Sequence, residues 1–265
     1  MLASCLAGLN GPSHSDAPRF TAMTSVTKRA ADPDQVRRLN TLLERAGASP
    51  PPMHFPAVIP TGCEALDRLL PQGGWRRGSL VEWLSDPPGS GAGTLALVAA
   101  RQAHAAGGAV VVIDGHGTFY PPAAAAWRLD LAGVIVVHPD NDKDEQWAFD
   151  QALRCEHTAA VLAWPRRLDG RTFRRLQLAA EASGAVGFFV RPLTAQREPS
   201  WADVRLAVAP RASPSGWQLG VRLLRCRGRF GKKEGEVVVE IDHQTGEIYE
   251  ARACHLAAEV ASAIA

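Results

Sequence analysis

Short apolar runs alternate with stretches of helical periodicity over most of the chain. The apolar runs predict strands at residues 79–84, 109–114, 133–138, 159–164 and 185–191, and the stretches between them predict helices at residues 95–104, 123–129, 144–156 and 172–183. Buried strands separated by helices form a parallel sheet with right-handed crossovers. Acidic residues at 140–145 are expected to complement the N-terminal dipole of the helix that follows them. Three later strands, at residues 203–209, 217–225 and 237–242, follow one another without helices, which predicts antiparallel strands at the C-terminal edge.

Both ends of the chain lack this alternation. The predicted organisation is a disordered tail at residues 1–31, an N-terminal amphipathic helix with a Pro-rich linker at residues 32–55, a core domain at residues 56–250, and a C-terminal helix or tail at residues 251–265. Met1 and Met23 are both candidate translation starts. The amphipathic helix either packs on its own core or binds a partner, because its apolar stripe suits both roles.

Composition and charge narrow the class of protein. The 265 residues are 46% hydrophobic and 21% charged, which indicates a soluble globular protein with one large α/β domain, and the net charge of +2 does not require a nucleic-acid partner. The 5 cysteines are scattered without C-x-x-C spacing, so neither a disulfide framework nor a metal site is expected. No stretch approaches the ~20 apolar residues of a membrane span. We therefore expect a cytoplasmic protein that contacts no membrane.

The segment after the first core strand has the outline of a phosphate-binding loop but lacks its chemical groups. It lies between a strand and an Ala-rich helix, as the P-loop pattern G-x-x-x-x-G-K-[ST] requires. In the register set by that helix, Asp86 replaces the first Gly and Gly91 keeps the second, while Ala92 replaces the Lys and Gly93 the hydroxyl residue. The Lys neutralises phosphate charge and the hydroxyl binds Mg²⁺, so their loss removes the main electrostatic stabilisation of phosphoryl transfer.

This remnant loop keeps a backbone that suits an anion. Gly89, Gly91, Gly93 and Thr94 are the vestigial cofactor-binding residues, because their N–H groups can still face a phosphate at a helix N-terminus. Weak binding of ATP or phosphate without hydrolysis therefore stays open, although Asp86 places a carboxylate beside any phosphate. The alternative is a tight strand-to-helix turn that binds nothing. No cofactor is expected beyond such weak binding.

The residues before the loop carry a resemblance to a known family. Thr61-Gly62, a helix containing Leu66-Asp67, the turn Gly73-Gly74 and a strand follow one another in the order seen before the P-loop of RecA-type recombinases. With the Lys missing, the pattern most closely resembles the bacterial ImuA proteins, which are RecA-like accessory factors of damage-induced mutagenic translesion synthesis. The resemblance covers residues 56–245. It implies a RecA-like P-loop NTPase-type core, with a mostly parallel twisted sheet flanked by helices.

The resemblance also indicates where the other parts of an ATPase would stand. The catalytic Glu of RecA proteins corresponds to His116, and the Walker B Asp corresponds to Trp164, which Pro165 follows. With Ala92 and Gly93, four positions have lost their chemistry, so we expect no ATP hydrolysis and no catalytic residue. A single His without a nucleophile or carboxylate at recognisable spacing is more typical of a structural role.

Two basic clusters are candidates for binding a partner or a phosphate. The first comprises Arg222, Arg225, Arg227, Arg229, Lys232 and Lys233. The resemblance implies that Arg225 and Arg227 match cations that reach the neighbouring subunit's nucleotide in RecA filaments. The second comprises Arg166, Arg167, Arg171, Arg174 and Arg175. Arginines of this kind can bind phosphate groups or an acidic protein surface, and the alternative for both clusters is a solvated charged face.

The implied function is assembly of a DNA damage tolerance complex. By resemblance, the partners are an ImuB-type polymerase-like hub protein and an error-prone DNA polymerase III alpha subunit in the SOS response, with RecA as a further candidate. RecA grips DNA with two loops, and the matching segments at residues 165–170 and 194–200 are short, so direct DNA binding stays open and protein contacts are expected to dominate. The alternatives are a SulA-like cell-division inhibitor and a functional DNA-dependent ATPase or recombinase.

Overall fold

The computed structural model describes residues 57–86, 89–212, 217–227, 235–242 and 245–251. The predicted N-terminal tail, the amphipathic helix and its linker lie outside these residues. Three residues of the first basic cluster, Arg229, Lys232 and Lys233, also lie outside them, as does the predicted C-terminal helix beyond residue 251.

The described residues contain eleven strands and five α-helices. The strands are β1 (Val58–Ile59), β2 (Trp75–Arg76), β3 (Leu80–Ser85), β4 (Ala109–Ile113), β5 (Val134–Val137), β6 (Thr158–Ala163), β7 (Val186–Pro192), β8 (Val204–Arg211), β9 (Gln218–Cys226), β10 (Glu236–Ile241) and β11 (Ile248–Glu250). The α-helices are α1 (Glu64–Leu69), α2 (Ala92–Ala105), α3 (Pro121–Ala126), α4 (Asp142–Arg154) and α5 (Gly170–Ser183). Two 3₁₀ turns, Leu131–Gly133 and Leu193–Arg197, complete the set.

A nine-stranded sheet in the order β11-β10-β9-β8-β3-β7-β6-β4-β5 forms the centre of the core. The six strands from β8 to β5 are parallel, and β9, β10 and β11 each run antiparallel to the strand before them. This arrangement confirms the predicted fold class. One detail differs, because β8 was expected among the antiparallel strands and instead pairs parallel with β3. The reason is topological, since the chain crosses over β3 between β7 and β8 before the meander begins.

Helices cover both faces of the parallel part of the sheet. The Ala-rich helix α2 packs on one face, where small side chains such as Ala96 and Ala100 allow a close approach to the strands. Helices α4 and α5 pack on the other face and on each other, with Phe149 and Phe173 meeting Phe189 of β7. The apolar faces of the helices thus bury the strands on both sides, as an α/β sheet requires.

The helix boundaries differ from the predicted ones where local capping decides them. Helix α2 begins at Ala92, directly after Gly91 in the left-handed region, which is three residues earlier than the apolar pattern indicated. Helix α3 begins at Pro121 and ends at Ala126, and the chain then turns at Arg128, whose φ is 61°. Helix α5 begins after Asp169, whose carboxylate accepts hydrogen bonds from the backbone N–H groups of residues 171 and 172.

A small two-stranded sheet precedes the main one. Strand β1 pairs antiparallel with β2, and this pairing places Trp75 edge-on against Trp83 of β3, with 5.5 Å between the ring centroids. The fully buried ring of Trp75 also meets Phe188 of β7 at 5.8 Å. The segment that carried the family resemblance is therefore packed onto the centre of the sheet.

None of the helices within the described residues combines the length and apolarity that a bilayer crossing needs. Among the described residues, Cys63, Cys155 and Cys226 are not joined in disulfide bonds.

Candidate functional site

The remnant P-loop lies at the carboxyl end of β3, the middle strand of the nine-stranded sheet. Gly89 and Gly91 both have a φ of 90°, which only glycine adopts at little cost. The carbonyl of Gly91 accepts the first helical hydrogen bond of α2, from the N–H of Leu95 at 3.0 Å. Ala92 is buried and Gly93 half-buried at the first two helical positions, where the Lys and the hydroxyl residue of a P-loop would stand. Thr94 follows within the first turn of the helix.

A side chain from the C-terminal strands fills the space next to Gly91. A Cβ atom on Gly91 would lie 2.5 Å from Cδ1 and 2.6 Å from Cδ2 of Leu219 on β9, and Leu219 is fully buried. By contrast, a Cβ on Gly89 would meet nothing within 4 Å. The glycine at position 91 thus allows β9 to pack on the loop, which agrees with the strand-to-helix turn alternative.

Trp164 lies close to the position where a Mg²⁺ ligand would be expected. It follows β6, and its indole Nε1 would lie 3.7 Å from a Cβ atom on Gly93. The half-buried Trp164 ring packs against the buried apolar residues on the side of the sheet that α2 covers, and its centroid lies 6.4 Å from that of the Phe119 ring. The two positions that hold Mg²⁺ in the expected pattern are therefore brought together here as a glycine and an indole. Within the described residues, no group of three or more His, Cys, Asp or Glu could hold a metal ion.

Asp114, at the end of β4, organises the turn that contains His116. Its carboxylate accepts hydrogen bonds from the N–H groups of Thr118 at 3.0 Å and Phe119 at 2.8 Å. Burial acts to raise the pKa of Asp114, but these hydrogen bonds and the nearby His138 outweigh burial and lower it. The turn leaves His116 exposed. Asp114 therefore has a structural role in the turn, which the sequence pattern did not reveal.

Glu145 is a further carboxylate close to the turn after β4. It belongs to the first turn of α4, whose N-cap is Asn141, and its Oε1 would lie 3.1 Å from a Cβ atom on Gly115. Burial raises the pKa of Glu145, and the electrostatic influence of His116 opposes that rise. The sequence indicated only a helix-dipole role for Glu145, because the chain order does not show that α4 returns to the turn after β4.

The connection from β7 to β8, where RecA has its second DNA-binding loop, is held by buried charges. Arg191 of β7 and Glu82 of β3 are both fully buried and form an ion pair of 2.7 Å. Glu82 also lies 2.7 Å from Nε of Arg205 on β8 and accepts a hydrogen bond of 2.6 Å from Ser200. Arg191 reaches outward to Glu198 at 2.6 Å. Charged side chains of three neighbouring strands, β3, β7 and β8, thus hold this connection.

Arg205 completes the anchoring of the same connection. Its guanidinium donates hydrogen bonds to the backbone carbonyls of Ala195 at 2.6 Å and Gln196 at 3.2 Å. Buried charges are tolerated when they are paired and hydrogen-bonded. Each charge of this cluster is ion-paired, although Nε of Arg205 lies beside Glu82 without hydrogen-bond geometry. The connection is therefore short, as expected, and also firmly attached to the sheet.

The described members of the first basic cluster have different surroundings. Arg222 is exposed, and no carboxylate among the described residues lies within ion-pair distance of it. Arg225 donates a hydrogen bond of 2.9 Å to the carbonyl of Ser200, and Arg227 lies 3.5 Å from Glu181 and 3.8 Å from Asp203. The two arginines that the resemblance singled out are thus engaged within the chain.

One member of the second basic cluster contacts an exposed tryptophan. The guanidinium of Arg174 on α5 lies 4.7 Å from the centroid of the Trp201 ring, a cation–π contact. Arg175 pairs with Asp150 of α4 at 3.4 Å, whereas Arg166, Arg167 and Arg171 are exposed. Because Arg225 contacts Ser200, the structure brings both basic clusters to the connection that carries Trp201.

Comparison with known proteins identifies relatives of this chain. A family model, the RecA N-terminal domain, matches residues 53–158. The RecA proteins of Picosynechococcus sp. and Streptomyces avermitilis are 36% and 38% identical over 98 and 97 residues, which is 37% of this chain in each case. The crystal structure of the RadB recombinase has a TM-score of 0.58 at 18% identity, and the superposition covers 73% of this chain and 100% of that chain. The chain has a RecA-like fold, and its sequence resembles RecA over part of its length.

The RecA-like match in sequence is confined to the first part of the core. The matched segment amounts to 28% and 26% of the two RecA proteins, so the chain spans about a quarter of the curated relatives it matches. The match to the family model ends at residue 158, the first residue of β6. Trp164, the anchored connection and both basic clusters lie beyond it, and there the likeness to RadB concerns the fold alone.

Proposed function

We propose that this chain is a non-catalytic RecA-like accessory protein of SOS-induced mutagenic translesion DNA synthesis, and that it assembles with an ImuB-type polymerase-like hub and an error-prone DNA polymerase III alpha subunit. RecA is a further candidate partner. The observation that carries the proposal is the composition of the nucleotide edge: Ala92, Gly93, His116 and Trp164 stand where a RecA-type ATPase has its Lys, hydroxyl, Glu and Asp.

The packing around these residues supports a non-catalytic role. Leu219 fills the space beside Gly91, and the indole of Trp164 approaches Gly93. Phosphoryl transfer depends on cations and metal ions placed around the phosphates, and neither side chain can replace them. The carboxylate of Asp114 is engaged in its own turn. The fold therefore offers a scaffold, and the function is expected on its outer surfaces.

The first experiment separates this proposal from an active ATPase or recombinase. Phosphate release by the purified full chain is measured with and without single-stranded DNA, beside a RecA protein under identical conditions. We expect no release above the no-protein control in either condition. DNA-stimulated release that a Gly93→Val substitution abolishes would overturn the proposal in favour of the ATPase alternative.

The second experiment tests assembly. The full chain is used to pull down the hub protein encoded in the same genome, and we expect retention on the wild-type chain. An Ala92→Lys, Gly93→Thr double substitution serves as the control and is expected to retain the hub equally, since the nucleotide edge has no part in docking. Absence of hub retention, together with filamentous cells on overexpression, would favour a cell-division inhibitor instead.

A further inference from the structure

The strongest unassigned feature of the molecule is the surface around Trp201. We define the Trp201 surface as the side chains of Arg171, Arg174, Leu178, Trp201 and Arg225. Trp201 is 41% exposed and Leu178 is 48% exposed, although both are large apolar side chains. Single exposed apolar residues are common, but here two of them lie among arginines on one helix and the connection beside it.

The position of Trp201 is supported by one contact of its own ring and by two contacts of the preceding residue, Ser200. Arg174 lies against its ring, Ser200 beside it bonds to the buried Glu82, and Arg225 bonds to the carbonyl of Ser200. A side chain that is already held in place loses little conformational entropy when a partner binds it. An exposed, preorganised tryptophan flanked by arginine has the properties of a binding hot spot, since Trp and Arg are the residue types that dominate such spots.

Helix α5 presents the rest of the surface in one row. Arg171, Arg174 and Leu178 are spaced three and four residues apart, so they follow one another along a single helix face. Leu178 lies one turn beyond Arg174, on the side of the helix that does not contribute to the core. The row therefore offers two charged side chains followed by one apolar side chain over about two turns of helix.

The charge of this region is strongly one-sided. Five arginines lie between residues 166 and 175, against one carboxylate in the same stretch, Asp169. The Asp169 carboxylate is used to cap α5, and the hydrogen bonds from Thr172 and Arg171 at the cap lower its pKa. Glu181, further along the helix, is paired with Arg227. The carboxylates near the row are thus already engaged, which leaves Arg171 available to an external anion.

We propose that the Trp201 surface binds an acidic, amphipathic peptide segment of a partner protein. Glu and Asp side chains of the segment pair with Arg171 and Arg174, while its apolar side chains cover Trp201 and Leu178. A protein segment fits better than single-stranded nucleic acid for two reasons. Leu178 offers no stacking face, and sequence-independent binding of single strands uses several successive aromatic platforms, whereas this surface has one.

This inference names the partner-binding surface of the proposed accessory protein and rests on that proposal. It deepens the proposal because it specifies the chemistry of the segment that docks. The probe experiment below contains neither hub protein nor nucleotide, so its failure is distinguishable from failure of the ATPase and hub measurements.

The test uses a fluorescein-labelled synthetic peptide and the full-length chain. The peptide forms roughly five helical turns, with Leu and Phe along one stripe and Glu elsewhere. We expect saturable binding by fluorescence anisotropy that weakens as salt rises, and weaker binding of a scrambled peptide with the same composition but no apolar stripe. Trp201→Ala and Arg171→Glu should each weaken binding about tenfold, the level typical of a hot-spot truncation.

Matched control variants come from the neighbouring helix α4. Trp147 is exposed to 65% and Lys143 is also exposed, and both lie outside the Trp201 surface. Trp147→Ala and Lys143→Glu should leave the affinity within about twofold, since neither contacts the segment. All variants change exposed side chains, and their thermal unfolding is recorded to confirm that they fold.

Three outcomes overturn the proposal. The wild-type chain shows no saturable binding of the striped peptide, or the controls weaken binding as much as Trp201→Ala. The third outcome is that single-stranded oligothymidine binds more tightly than the peptide and loses affinity in the same two variants, which would assign the surface to nucleic acid.

Discussion

The nucleotide edge, formed by the loop after β3 and by Trp164, differs from the β7–β8 connection in the polar groups it contains. At the nucleotide edge, positions that carry charge or hydroxyl groups in the RecA pattern hold Ala92, Gly93 and Trp164, and Leu219 packs into the loop. At the connection, Glu82, Arg191 and Arg205 are buried together and keep their charges. The nucleotide edge lies at the carboxyl end of β3, whereas the connection runs from the carboxyl end of β7 to the amino end of β8, and all three strands are neighbours in one sheet.

The contrast teaches where geometry matters in this chain. Replacing a buried ion cluster with apolar side chains is often neutral or stabilising, so such a cluster is not needed for stability alone. At the nucleotide edge, apolar side chains stand in place of charged ones. The connection keeps its charges, and they fix the backbone that carries Ser200 and Trp201. We infer that the position of this connection is important, whereas the packing of Leu219 beside Gly91 favours a tight turn after β3.

The largest effect is expected from removing the charge at the centre of the ion cluster. Glu82→Gln leaves Arg191 and Arg205 buried beside a neutral side chain of the same size, so Arg205 loses the counter-ion that offsets its desolvation cost and Arg191 keeps only Glu198. The free energy of unfolding should fall by about 3–5 kcal/mol, as when one partner of a buried ion pair is removed. Urea denaturation of the full chain, followed by circular dichroism, measures this change.

An exposed ion pair provides the matched control for that substitution. Glu236 on β10 pairs with Arg211 on β8, and both side chains are substantially exposed. Glu236→Gln makes the same chemical change in water and should cost about 0–1 kcal/mol. Similar losses in the two variants would show that the buried cluster does not hold the connection, and the contrast between the two regions would fail.

The next effect tests the packing at the nucleotide edge. Gly91→Ala forces a Cβ into a left-handed conformation and against Leu219, so we expect a loss of about 2–4 kcal/mol from backbone strain and overpacking together. Gly89→Ala has the same φ of 90° but open space, and should show only the strain, about 1–2 kcal/mol. Thermal and urea unfolding of both variants provide the comparison.

Equal losses at Gly89 and Gly91 would contradict the idea that Leu219 fills the loop. A Gly91→Ala, Leu219→Ala double variant sharpens the result further. If the clash is real, the double variant should lose less than the sum of the two single losses, because removing Leu219 makes room for the new methyl group.

The sequence predicted the parallel core because its strands are continuous apolar runs with helices between them. Strands β3, β4, β6 and β7 lie within one or two residues of their expected limits. The helix after β3 was also predicted, although it begins three residues earlier than expected. Both predictions have the same physical basis, because burial on two faces and helical periodicity are local properties that leave a clear pattern.

What the sequence could not provide depends on contacts between distant segments. The contact between Leu219 and Gly91 joins a strand and a loop that lie more than a hundred residues apart in the chain, and the local sequence of neither segment indicates it. Arg191 and Arg205 were indistinguishable from surface arginines, although a Glu at position 82 inside an apolar run was an available signal of a buried partner. The meeting of both basic clusters at Trp201 likewise follows from the order of β8, β3 and β7, which the sequence did not determine.

The smallest effect concerns two carboxylates near the nucleotide edge, Asp114 and Glu145. The folded-state pKa of Asp114 is lowered, so its charge contributes stability that is present above the ordinary Asp pKa of 3.8 and is lost as the pH falls through the lowered value. Asp114→Asn should therefore reduce the free energy of unfolding by about 1 kcal/mol near neutral pH, with the deficit shrinking below about pH 4.

The pKa shift of Glu145 has the opposite sign, because burial raises its pKa above the ordinary 4.5 and penalises its charged form. Glu145→Gln should accordingly be at least as stable as the wild type near neutral pH, with its advantage disappearing as the pH falls. Urea unfolding between about pH 3.5 and 8 resolves the two trends, and a pH-independent difference in Asp114→Asn would show that this carboxylate does not organise the turn in its charged form.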